Sequence, residues 1–501
     1  MQKTWGFYGR SVELAEISRI LESGKWFFCA ISGRRRIGKT RLIQEAVKRL
    51  NPTSSLRIPI LYFQVPDSDE RGVVQTFEDA LEDNGISTQD SRKFSTFQGM
   101  SIFIGAWSRQ GGVVAIDEFQ YFNRAPLAPF ASFLQEEIDR NRDSGRGGLF
   151  VLGSIHTEMT AILEDRSSPL FNRVTHRIQI GHWDFQTLFE MFQAHEISDP
   201  LHQLFLWSLF EGVPKFYRDA FEQGVLIPAE DHRQTTIRRL FFEGSSPLKD
   251  EADNWFLREL RGRYDSVLKL MARLGPCTHG TLMNEYARAG EGGEKQLGGY
   301  LQILIEKYRM VEKLAPVFSG RSSRKARYVI ADNFLSSWLH ALARNVQMAR
   351  VQPLERPVAR ADQALMVQEG YAFEKMIRLL TEECSRKGVG DFHLTDMVRG
   401  YWNKADGSDI EIDLVAMNDE DRVVRLGSCK RSELQHHTAS IGKFRLHADK
   451  FLKTAEGGKF RGWTVEYALY SPKFEAENRR SLESLGYICK DLIDFRKMLH
   501  P

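Results

Sequence analysis

The stretch Gly33-Arg34-Arg35-Arg36-Ile37-Gly38-Lys39-Thr40 sets two glycines, a lysine and a hydroxyl at the spacing GxxxxGK[ST]. Glycines let backbone N–H groups curl around an anion at the start of a helix, the Lys39 ammonium offsets β/γ-phosphate charge, and the Thr40 hydroxyl suits Mg²⁺. Gly33, Arg34, Arg36, Ile37, Gly38, Lys39, Thr40 and Arg41 are therefore the expected phosphate cradle. A second stretch, Val113-Val114-Ala115-Ile116-Asp117-Glu118, ends an apolar run in adjacent carboxylates. Asp117 suits the magnesium shell, and Glu118 can polarise an attacking water. The two together specify binding and hydrolysis of ATP with Mg²⁺. Ser154 closes another apolar run, where its hydroxyl is placed to sense a γ-phosphate, although a simple strand-ending turn explains it equally well.

These groups need a sheet edge to stand on. The first third of the chain alternates short apolar runs with helical patterns, the signature of an α/β domain with a mostly parallel sheet. Strands are expected at 26–32, 58–65, 113–116, 149–154 and 174–180, and the helix after the glycine loop carries Leu42, Ile43, Ala46, Val47 and Leu50 on one face. Residues 1–182 are the expected ATPase core, and 183–245, where the periodicity turns helical, an expected helical lid. Helices expected at 266–274, 281–289 and 294–307, then a hairpin of 310–314 and 328–330, predict a winged helix within 246–350. A Pro- and Arg-containing stretch, 351–360, reads as a linker. From Ala364 a pattern of helix, strands, helix and strand predicts a second α/β unit within 351–501.

At 501 residues the chain exceeds what one hydrophobic core supports. No uncharged apolar run approaches the roughly 18–20 residues that span a bilayer, so no membrane is expected as a partner. The start of the chain lacks a signal-peptide pattern, so secretion is not expected. Five cysteines, odd in number and without CxxC spacing, argue against a disulfide framework and a zinc site and for a reducing cytoplasm. A net charge of +3 does not announce nucleic-acid binding, so any basic surface must be local.

Together with Phe7-Tyr8-Gly9-Arg10, Glu13-Leu14, Ile116-Asp117-Glu118-Phe119-Gln120 and Gly212-Val213-Pro214, the glycine loop resembles the archaeal-type P-loop ATPases of the STAND/AAA+ group over roughly the first half of the chain. The resemblance implies that Gly9, Arg10 and Pro214 border the nucleotide base. It also implies that Arg173, after Pro169-Leu170-Phe171-Asn172, approaches the γ-phosphate. A surface ion pair is an equal alternative for Arg173, since exposed arginines are common.

In that group the ATPase and winged-helix parts are often followed by a domain similar to the PD-(D/E)xK nucleases, and the last third here resembles it. The resemblance maps the metal-binding Asp to Asp413, the helix acid to Glu374 and the lysine to Lys430. Carboxylates there would hold Mg²⁺, which activates water, while the lysine assists the nucleophile or transition state. Strand alternation puts Ser428 and Lys430 on one face, and Glu411 and Asp413 on one face. Where the family carries Glu or Asp two residues before the lysine, this chain has Ser428, a poor magnesium ligand. Glu411 is a substitute carboxylate or an exposed strand residue. His436 and His437 are adjacent, share no face, and are not assigned to a metal.

Arg321, Arg324, Lys325 and Arg327 lie in the expected wing and Lys295 at the start of the expected recognition helix, so DNA phosphates are the expected contact, with a solvated loop as the alternative. The expected function is an ATPase whose nucleotide state governs a DNA-directed nuclease-like domain. The alternative is a nucleotide-switched DNA-binding or regulatory ATPase with an inactive nuclease fold. ATP, Mg²⁺ and DNA are the expected ligands, and assembly into a homo-oligomer stays open.

Overall fold

The computed structural model describes residues 4–50, 59–86, 95–154, 156–228, 231–249, 251, 260, 264–290, 294–320, 325–404, 407 and 409–500. Two compact units are present, one of Gly6–Trp183 with Val213–Lys215, the other of Asp184–Gly212 and Phe216–Pro501 with Met1–Trp5.

In the first unit, β1 (Phe27–Ser32), β2 (Ile60–Gln64), β3 (Val113–Asp117), β4 (Gly148–Gly153) and β5 (His176–Gln179) form one sheet in the order β2-β3-β4-β1-β5. Every neighbouring pair is parallel. Side chains alternate across it: Phe27, Cys29 and Ile31 join Leu42 and Ile43 on one side, while Phe28 and Ala30 join Phe77 and Ile104 on the other. A sheet buried on both faces needs continuous apolar strands, which is why these runs read so clearly. The expected strand 149–154 ends at Gly153 and leaves Ser154 outside it, 113–116 extends to Asp117, and 174–180 shortens to four residues. Because all five strands run one way, their C-terminal ends share an edge. The loop after β1, the end of β3 and the turn after β4 meet there.

In the second unit, helices Tyr264–Leu274, His279–Arg288 and Glu294–Glu306 precede an antiparallel hairpin of β6 (Val311–Leu314) and β7 (Arg327–Ile330). Arg321 and Arg324 lie outside the described residues, as does the Lys295 side chain. The expected linker is corrected: most of 351–360 opens a single helix of 32 residues, Glu355–Arg386, spanning about 48 Å. Pro357 sits in its first turn, where the missing N–H has no intrahelical partner to lose.

This helix is a spine. Its Glu383 accepts from the backbone N–H groups of Phe185 (2.7 Å) and Gln186 (3.0 Å), capping the helix Phe185–Ala194. Its Lys375 binds Glu211 and the Ala331 carbonyl, and its Glu369 pairs with Arg233 and, at 2.7 Å, with Arg431.

The C-terminal sheet contains β8 (Arg399–Trp402), β9 (Glu411–Asn418), β10 (Val423–Cys429), β11 (Thr464–Tyr470) and β12 (Ile488–Lys490), in the order β12-β11-β10-β9-β8. The hairpin is fastened to it. Val317 enters its hydrophobic core and donates its N–H to Gly400, while the Trp402 indole donates to the Lys325 carbonyl at 2.7 Å. Arg327 lies 4.4 Å over the Trp402 ring and pairs with Glu411 at 2.8 Å.

Candidate functional site

The loop after β1 is shaped by backbone conformations that most residues avoid. Arg36 and Gly38 have φ of 66° and 90°, and a Cβ on Gly33 would come within 2.6 Å of the Ile180 carbonyl. Ile37 is buried and anchors the loop to the core, whereas Arg41 on the following helix is exposed. Lys39 folds back over the loop, donating to the carbonyls of Gly33 (2.9 Å) and Arg34 (3.1 Å). Burial pushes its ammonium down to about 8, against the pull of Asp117 and Glu118. A cation held in this way at the mouth of a glycine loop is suited to receive phosphate oxygens.

Thr40 donates to Asp117 Oδ2 at 2.5 Å, and Tyr62 on β2 donates to the same oxygen at 2.8 Å. Asp117 Oδ1 accepts the Glu118 N–H at 2.8 Å. Burial, then the Asp117 carboxylate, holds the Tyr62 phenol above its ordinary range, so it stays a donor. The Thr40 and Asp117 oxygens form the kind of donor set Mg²⁺ takes, with phosphate oxygens and water completing its shell. Glu118 has φ of 54°, a left-handed conformation that turns its side chain away from the line of the strand. Its carboxylate accepts from the Gln120 amide, which also reaches Ser154 Oγ at 3.2 Å.

Gly9 and Arg10, both with positive φ, form the turn before the helix Ser11–Glu22. Arg10 ties that turn to the loop, donating to the carbonyls of Ile37 (3.2 Å) and Gly181 (2.7 Å) and pairing with Glu13. Pro214 is the first residue of the helix Pro214–Glu222, where its fixed φ suits a helix start. Arg173 is engaged elsewhere: it grips Asp139 with two hydrogen bonds of 2.8 Å and donates to the carbonyls of Pro169 and Phe171.

In the second unit a separate group gathers at β9 and β10. Asp413 Oδ2 accepts the Cys429 N–H at 2.9 Å, with Ser428 Oγ at 3.4 Å and Lys430 Nζ at 3.5 Å. Burial, then the Asp413 charge, pushes the Glu374 carboxyl up to about 8. Burial opposes the charge on Lys430, but Asp413 and Glu374 outweigh it and raise its value. Glu411 is turned to Arg327. Among the described residues no group of three or more His, Cys, Asp and Glu is arranged to hold a metal ion. Asp413 Oδ2 faces three donors, and Ser428 beside it adds no carboxylate to the set.

Two residues at the first site escape a reading by spacing. Tyr62 looks like an ordinary strand aromatic, and Gln120 follows the acid pair without chemistry of its own. A polar-tipped aromatic in mid-strand, on the strand that pairs in parallel with the acidic one, is the signal that marks Tyr62.

A family model described as an ATPase domain predominantly from Archaea matches residues 7–215. Residues 338–441 match a model described as archaeal and bacterial proteins of unknown function. An uncharacterized protein of Methanocaldococcus jannaschii is 24% identical over 493 residues, spanning 98% of this chain and 100% of that one. A Walker-type ATPase of Pyrococcus abyssi is similar with TM-score 0.48 and 15% identity, covering 66% of this chain and 96% of that one. The ORC2 protein of Aeropyrum pernix, in ADPNP–ADP complexes, gives 0.47 and 17%, covering 74% and 97%. Residues 7–215 are thus similar to an ATPase domain found predominantly in Archaea, and they carry the all-parallel five-stranded sheet. No helix among the described residues is long and apolar enough to cross a membrane.

Proposed function

We propose that the chain binds ATP with Mg²⁺ and hydrolyses it, and that nucleotide state governs a DNA-directed module in its C-terminal part. The observation that carries the first half is the joining of Thr40, on the glycine loop, to Asp117 of the acid pair at 2.5 Å. Lys39 and the loop amides hold the phosphates, and Glu118 takes a proton from the water that attacks the γ-phosphorus, releasing ADP and phosphate. Mg²⁺, when bound, neutralises charge on the β- and γ-oxygens. Gly9, Arg10 and Pro214 are assigned to the base side, and Ser154 to the γ-phosphate. Five free, buried cysteines are in keeping with a reducing, cytoplasmic setting. The test is Lys39→Ala: loss of ATP binding and turnover supports the assignment, and undiminished turnover overturns it.

For the C-terminal part, the favoured reading is a winged helix that contacts DNA and a nuclease-like fold that binds it without cutting. Ser428 supplies no carboxylate, and Asp413 Oδ2 faces the Cys429 N–H, Ser428 and Lys430. Metal-dependent cleavage through Glu374, Asp413 and Lys430 is the second reading, supported by the gathering of those side chains.

A further inference from the structure

Resting on the ATPase reading, we propose that Gln120 is a positioning residue that holds Glu118 and Ser154 on one amide, aiming the water-polarising carboxylate and the γ-phosphate-facing hydroxyl together. Gln120 is 2% exposed, in the turn Phe119–Asn123 that leaves β3. A buried amide has one acceptor and two donor hydrogens to place. Here its Oε1 accepts the Ser154 N–H at 3.3 Å, while its Nε2 donates to Glu118 Oε2 and to Ser154 Oγ at 3.2 Å. The ends of β3 and β4 are thereby bridged by a single side chain.

The direction of these bonds matters. A hydroxyl that accepts from Nε2 keeps its own hydrogen free to donate, so Ser154 presents O–H rather than a lone pair to an arriving phosphate oxygen. Glu118, held through Oε2, keeps Oε1 for water. The site also leaves room for the amide: a Cβ on Gly153 would stand 3.0 Å from Gln120 Oε1 and within 2.2 Å of Met159 Sδ, so glycine there permits the close approach. The left-handed turn at Glu118 brings its carboxylate back towards Gln120, two residues on.

Steady-state ATPase kinetics and equilibrium binding of ATP should be measured on wild type, Gln120→Ala, Gln120→Met, Ser154→Ala and the double variant Gln120→Ala/Ser154→Ala. Gln120→Met keeps the volume without the hydrogen bonds and decides the matter if Gln120→Ala does not fold. The expected result is a kcat lowered about 10- to 100-fold in the Gln120 variants, the scale of a displaced general base, with ATP affinity within about twofold of wild type. The double variant should be no slower than Gln120→Ala, because both changes break one relay. A merely structural Gln120 would lower kcat and bound ATP together, in step with the folded fraction. That result, or wild-type kcat in folded Gln120→Met, overturns the proposal while leaving the ATPase reading intact if Lys39→Ala is inactive. Absence of ATP binding by wild type overturns both.

Discussion

Tyr62 donates its phenolic hydroxyl to Asp117 Oδ2 at 2.8 Å, the oxygen that also takes the Thr40 hydroxyl. A cation approaching Asp117 competes with that bond, worth about 0.5–1.5 kcal/mol. Tyr62→Phe is expected to lower the Mg²⁺ concentration for half-maximal ATP hydrolysis about 2- to 10-fold. Titrating Mg²⁺ at fixed ATP checks it, and an unshifted curve would make Tyr62 a packing residue only.

Glu118→Gln is expected to keep ATP binding and slow turnover about 100-fold or more, because a neutral amide polarises water poorly. Binding and single-turnover rates, measured separately, decide. A fall in affinity with an unchanged rate per bound ATP would assign Glu118 another role.

The basic residues of the hairpin divide into two kinds. Arg327 is committed to Glu411 and Trp402, so Arg327→Ala is expected to cost about 1 kcal/mol after allowance for solvent screening of the half-exposed Glu411, a fall in melting temperature of about 2–4 °C. Arg321 and Arg324, outside the described residues, are proposed to meet DNA. Replacing both by Ala should leave stability unchanged and reduce the salt slope of DNA binding by about 1.8.

His202 is buried and stacked on His232 at 3.7 Å, with no partner for its Nε2 among the described residues. Burial first, then His232 and Arg233, pushes it down to about 3. An unfolded histidine titrates near about 6.5, so between these values the unfolded chain binds more protons. The neutral imidazole's contribution is fully present above that range and is lost as pH falls, by at most about 1.4 kcal/mol per pH unit. Urea midpoints at pH 7 and pH 5 should separate for wild type, and separate less for His202→Phe.

Ser428→Glu is expected to restore an anionic oxygen beside Asp413 and to bring out or raise plasmid cleavage with Mg²⁺ or Mn²⁺. Adding Asp413→Ala should abolish it. Cleavage that survives would refute this placement of the site. DNA binding without cleavage by any variant would leave the binding reading ahead.

The glycine loop and the acid pair were legible because their spacing is local and each sits at the end of a strand buried on both faces. Tyr62 and Gln120 were not, because their roles depend on β2 and β4 flanking β3, an order that no short window of sequence contains. The stretch 351–360 reads as a linker because of its prolines, yet Pro357 falls in the first turn of the helix Glu355–Arg386, where a helix tolerates it. From sequence, Glu411 reads equally as a metal ligand and as an exposed strand residue. Its cation, Arg327, stands 84 positions earlier and on another element.

Glu383 caps a helix whose first amide lies 198 positions before it. During synthesis at about 5–20 residues per second, Phe185 emerges roughly 10–40 seconds before the residue that satisfies it. Through that interval Asp184 can take the Thr187 amide locally, but the Phe185 and Gln186 amides must stay on water or on a chaperone. A ribosome that stalls between the two positions would release a chain with that helix start uncapped by Glu383, a ready target for quality-control proteases.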